Sequence, residues 1–285
     1  MNTNHQQRSD LPIKYELKFA YLSTLIILLL MTTASVVGII NPDAIYPMDE
    51  LQRTFMPNDV VNLLIGVPIL LGSLWLTRRG KLIGFLFWPG ALVYVLYNYV
   101  AYVYGMPFNT LYLLYLSLVV LSAYTIIGVV ASTDSQVVQK QLTRRVPERL
   151  AGGIIFGFGI LFMLRVFAVM ILAVINRTSI ASTELAVLIA DLLISPAMII
   201  GGILLWQRKA LGYVSGMGLL FQAGMLFIGL IIFMILQPLI TQAPFSLIDI
   251  VIVFIMGMVC FIPFGLFLRG VNTADQERAK QPSKK

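Results

Sequence analysis

A chain of 285 residues, 59% of them hydrophobic and only 12% charged, cannot hide its apolar surface in one water-soluble core, so a bilayer must serve as its solvent. The net charge of +7 sits in short basic runs between apolar segments and at both ends, with no stacking platform or groove-reading helix, which argues against nucleic acid. One cysteine, Cys260, and one histidine, His5, exclude a disulfide framework, a Cys/His metal site or a histidine-ligated haem within one chain.

Residues 1–17 read as a polar cytoplasmic tail, and 19–40 as the first span. Thr32-Thr33-Ala34 resembles a small-residue cleavage site, so a signal peptide is the alternative there; the apolar run nevertheless continues through Ile40 to full spanning length. Residues 41–58, with Pro42, Pro47 and Pro57, read as a polar loop. Spans two (60–76) and three (82–104) fold back on each other through the basic knot Arg78-Arg79-Gly80-Lys81. Runs of about twenty residues, at ~1.5 Å each, cross a hydrocarbon layer of ~30 Å. Gly105-Met106-Pro107 makes a turn into span four (108–130). A long polar break at 132–150 follows, carrying Lys140, Arg144, Arg145 and Arg149. Spans five to eight cover 152–175, 185–206, 211–236 and 246–268, and 271–285 reads as a charged cytoplasmic tail without packing potential.

Eight spans put both ends on one side. Of the 20 basic residues, seventeen fall in segments on the N-terminal side, against Arg53 and Arg177 opposite and Arg165 within a span. The positive-inside rule makes both termini cytoplasmic.

A shift of 128 residues lays the second hairpin on the first. Pro68 meets Pro196, Lys81 meets Lys209, Gly84 meets Gly212, Phe85 meets Tyr213 and Gly90 meets Gly218. After a nine-residue change in the loop, Pro107-Phe108 meets Pro244-Phe245 and Gly128 meets Gly265. The expectation is therefore two parallel four-helix repeats, 18–131 and 151–270, joined by a basic linker at 132–150. An even number of helices per unit implies a pseudo-twofold along the membrane normal, with any shared cavity between the halves. Gly153/Gly157 and Gly212/Gly216 suit close helix approach, and the matched prolines suit a bend.

Charges inside spans are costly and are the first candidates for function. Arg165 lies ~15 Å from the outer end of span five, and Asp191 ~10 Å into span six. Asp249 is about one turn into span eight from the same face. Asn62 opens span two, Asn98 sits in the outer half of span three, and these groups converge on the outer half of the bundle. The alternatives are structural. Arg165 and Asp191 would then only neutralise each other, while Asp59 and Asp249 would be interfacial carboxylates at helix starts. Tyrosines crowd spans three and four; those near the outer turn suit an interfacial belt, whereas Tyr94 lies deeper and shares a face with Asn98. Gln222 stands opposite Tyr94 in the second unit. A pocket of this kind suits an organic solute with a polar or cationic head.

Hydrolase, phosphate-binding and dinucleotide-binding motifs are missing, so no cofactor is expected and catalysis is not the leading reading. The expected fold is an all-α integral membrane protein of eight transmembrane helices. The expected function is transporter-like, for a small solute or coupling ion. A membrane scaffold or accessory subunit with membrane-protein partners is the rival, and an intramembrane enzyme comes third.

Overall fold

The apolar runs become helices because hydrocarbon offers no partner to a backbone amide, and a helix satisfies its own. A computed structural model describes residues 11–241 and 245–280. Its helices are α1 (Lys18–Ile40), α2 (Pro42–Ile45), α3 (Asp49–Val61), α4 (Val67–Arg78), α5 (Leu82–Gly105) and α6 (Tyr112–Ser132). They continue as α7 (Ser135–Leu142), α8 (Glu148–Asn176), α9 (Ser182–Trp206), α10 (Ala210–Thr241) and α11 (Leu247–Lys280). A wide π turn, Asn62–Gly66, joins α3 to α4 in one continuous rod. Eight helices among the described residues are long and apolar enough to cross a membrane, and the chain is an all-helical, multi-pass bundle of membrane type.

The rod α5 is the centre. Its most apolar stretch is 72% buried, against 11% for α8, which packs on α9 and turns its other faces outward. Around α5 stand α4, α6, α9 and α10. Gly90 of α5 and Gly218 of α10 meet backbone to backbone, and a Cβ on either would strike the other. That contact lets two core helices cross without a side chain between them.

The two basic turns close alike. Lys81 N–H donates to Leu76 O at 3.0 Å and Lys209 N–H to Leu204 O at 2.7 Å. Gly80 N–H donates to Thr77 O, and Arg208 N–H to Leu205 O, both at 2.9 Å. Both turns place one residue in the left-handed region, Gly80 at φ 75 and Arg208 at φ 57.

Several boundaries differ from the sequence expectation. The loop at 41–58 is mostly helical: Asp49 and Glu50 occupy the first turn of α3, where carboxylates suit the helix dipole, and the helix carries Pro57 inside it. The matched prolines are not matched in form, since Pro68 follows the π turn while Pro196 lies inside continuous α9. The break at 132–150 contains α7, N-capped by Asp134, whose carboxylate accepts from Gln136 and Val137 N–H at 3.2 and 3.3 Å. Helix α7 packs on α10 and joins it through Gln139 Nε2, which donates to Arg208 O at 2.7 Å.

The tails also pack. Residues 1–10 lie outside the described residues, but Ile13 bridges to Thr133 and Lys14 N–H donates to Ser132 O at 2.7 Å. Helix α11 runs past the expected end of span eight, burying Val271, Ala274 and Asp275. Asp275 accepts from Leu82 N–H at 2.8 Å and Ile83 N–H at 3.1 Å, capping the start of α5 from 193 residues away. Polarity hid this segment, although a small apolar stripe, Val271 and Ala274, was enough to seat it.

Candidate functional site

Beyond the Gly90–Gly218 crossing a cavity of about 250 Å³ lies between α5 and α10. From α5 it receives Tyr94, Tyr97, Asn98 and Ala101, spaced i, i+3, i+4, i+7 along one helix face. From α10 it receives Gln222, Met225, Leu226 and Gly229, at the same spacing and each 128 residues further on. Thr54, Phe55 and Asn58 of α3 and Val187 of α9 also line it. No described residue lining the cavity carries a charge.

Each polar side chain here has a definite arrangement. Tyr94 OH donates to Asn62 Oδ1 at 2.8 Å, and Asn62 Nδ2 reaches Ser35 Oγ at 3.4 Å. Asn98 Nδ2 donates to Tyr94 O, one helical turn back, at 3.0 Å. Tyr97 OH turns away from the cavity and donates to Asp191 Oδ1 at 2.8 Å. Both tyrosines thus direct their protons into the wall. Gln222 differs: it is 0% exposed, and neither its Nε2 nor its Oε1 has a hydrogen-bond partner. A buried amide left without partners costs about 1–3 kcal/mol, and this one belongs to a residue of the cavity wall.

Arg165 and Asp191 form an ion pair at 2.8 Å. Asp191 is 2% exposed, while the Arg165 side chain is 46% exposed on the outer surface of the bundle and reaches inward. Tyr97 stands between this pair and the cavity. Asn62 lies one hydrogen bond behind the cavity wall. Asp249 does not join the group: it is exposed in the first turn of α11, where its N–H meets Ser246 Oγ at 3.3 Å.

Asp59 departs furthest from expectation. It is not an interfacial carboxylate at a helix start but lies ten residues into α3 at 0% exposure. Its Oδ1 accepts from Tyr102 OH at 2.8 Å and its Oδ2 from Tyr46 OH in a close contact. Burial and the adjacent Asp59 carboxylate push the Tyr46 phenol well above its ordinary range. Asn58, on the cavity wall, reaches Tyr102 OH at 3.4 Å, which links this cluster to the site. Among the described residues no Lys or Arg pairs with Asp59. The sequence signal was the run of prolines around it, which concealed a helix rather than marking a loop.

No group of three or more metal-ligating side chains occurs among the described residues. No protein-family model, curated protein or solved structure matches the chain.

Proposed function

We propose that this chain is a transporter-like integral membrane protein, non-catalytic, that holds a small solute between two parallel four-helix repeats. The observation that carries the reading is the cavity itself, lined by four pairs of positions 128 residues apart and containing the unpartnered Gln222 amide. The repeat draws further support from the matching basic turns and from Gly90 meeting Gly218, since equivalent residues touch each other only on a twofold axis. Both termini and the basic turns face the cytoplasm in this reading, by the charge bias, and the cavity belongs to the outer half.

A second reading, a membrane scaffold or accessory subunit, is favoured by the Arg165–Asp191 pair, which is matched within the chain and separated from the cavity by Tyr97. Charges used for ion coupling need access to water; these have a protein partner instead.

Cysteine accessibility separates the two. A Cβ at Gly229 meets nothing within 4 Å, so Gly229→Cys places a thiol in the cavity without displacing a neighbour. In lipid vesicles, with Cys260 replaced by Ser, a carrier exposes this thiol to a small impermeant reagent from each side in turn. Reaction from one side alone leaves a binding site and removes transport. Protection from both sides favours the scaffold.

A further inference from the structure

The occupant's chemistry follows from what the cavity leaves unmatched, and the argument rests on the solute-site reading above. Three of its polar side chains are already committed: Tyr94 to Asn62, Tyr97 to Asp191, and one Asn98 amide hydrogen to the backbone. Gln222 is the lining residue whose Nε2 and Oε1 are both buried without a partner, at 0% exposure.

A primary amide has two N–H donors and a carbonyl with two lone pairs, side by side in one plane. A carboxylate in the cavity would accept from Nε2 and leave Oε1 facing negative charge. An ammonium or amidinium would donate to Oε1 and leave Nε2 facing positive charge. Only a neutral group with an adjacent donor and acceptor answers both. A second carboxamide does so through two antiparallel hydrogen bonds. The rest of the wall favours the same choice: among the described residues it has no counter-ion for a desolvated charge, and it offers the rings of Tyr94, Tyr97 and Phe55 to a flat apolar body. The aromatic faces alone would also attract a cation, but an amidinium would strand the Nε2 donors.

We propose that Gln222 anchors a neutral ligand through a carboxamide or lactam edge, with the ligand's flat apolar body packed against the α5 tyrosines.

Three probes of nearly one shape test this: benzamide, benzoate and benzamidinium. Each is titrated at pH 7 against the full chain in lipid nanodiscs, with binding read by calorimetry. Benzamide is expected to bind, and the two ions to bind about a hundredfold more weakly or not at all. Gln222→Leu is expected to weaken benzamide by about tenfold or more. Gln222→Glu, which keeps the side-chain shape, is expected to shift preference toward benzamidinium, so a gain of binding tests the anchor even where the leucine variant folds poorly. Equal or tighter binding of either ion to the wild-type chain overturns the neutral class and leaves the cavity reading standing. Benzamide binding unchanged in Gln222→Leu overturns Gln222 as the anchor. No benzamide binding overturns the inference, while thiol reactivity at Gly229→Cys judges the cavity separately.

Discussion

Arg165, Asp191 and Tyr97 make a three-membered polar chain in which one carboxylate takes a guanidinium on one oxygen and a phenol on the other. Removing either ionic partner orphans a charge, whereas removing both leaves a contact of similar shape. Asp191→Asn and Arg165→Gln are each expected to lower stability by about 1–3 kcal/mol, below the loss for a fully buried pair because Arg165 is 46% exposed. The double variant is expected to lose less than the sum, measured by denaturant unfolding in detergent. Additive losses would show that the pair is not coupled. This pairing was legible in the sequence, because intramembrane charges are few and their depths can be counted along straight helices. Asp59 was not legible. Its partners Tyr46 and Tyr102 lie 13 and 43 residues away on separate elements, and no periodicity predicts that three distant side chains will converge.

At the scale of the element, the glycine contact between α5 and α10 sets the spacing that the cavity depends on. Gly90→Ala and Gly218→Ala are each expected to cost about 1–3 kcal/mol through overpacking of a close backbone approach. Either methyl forces the same separation, so the double variant is expected to cost less than the two combined. Thermal unfolding of the four proteins checks this, and strict additivity would mean that the helices do not touch there. Apolar runs marked the eight rods well, since hydrocarbon demands helix. The ends were read poorly. Helix α3 begins well before the expected start of span two, and α11 runs beyond the expected end of span eight. In both places a polar stretch reads as a loop or tail, because outside hydrocarbon a helix needs only a narrow buried stripe to be held.

For the whole molecule, the charge bias makes a topological statement that labelling can check. Asp49 and Gln136 are both exposed, with three candidate spans between them, and the charge bias puts Gln136 on the cytoplasmic side. With Cys260 replaced by Ser, Asp49→Cys is expected to react with an impermeant thiol reagent added to intact cells, and Gln136→Cys only after lysis. The reverse order would invert the orientation. Equal reaction at both sites would mean that an even number of spans, and not three, separates them. The eight-helix membrane architecture was the most legible level, since long apolar runs leave the backbone little choice but helix. The contents of the cavity were the least legible. Tyr94, Asn98 and Gln222 could be chosen as polar groups within spans, but only the packing shows that Gln222 lacks a partner.

The Asp275 cap has a consequence for the order in which the molecule is completed. A ribosome delivers Leu82 and Ile83 to the membrane long before it delivers Asp275, so the central helix is inserted with its first two amides unanswered by protein. Those amides follow the basic turn Arg78-Arg79-Gly80-Lys81 directly in the chain. Arrival of α11 then supplies the carboxylate. Helix α11 thus closes over the first turn of the helix around which the others pack, and that turn stays without its protein cap until residue 275 has been made.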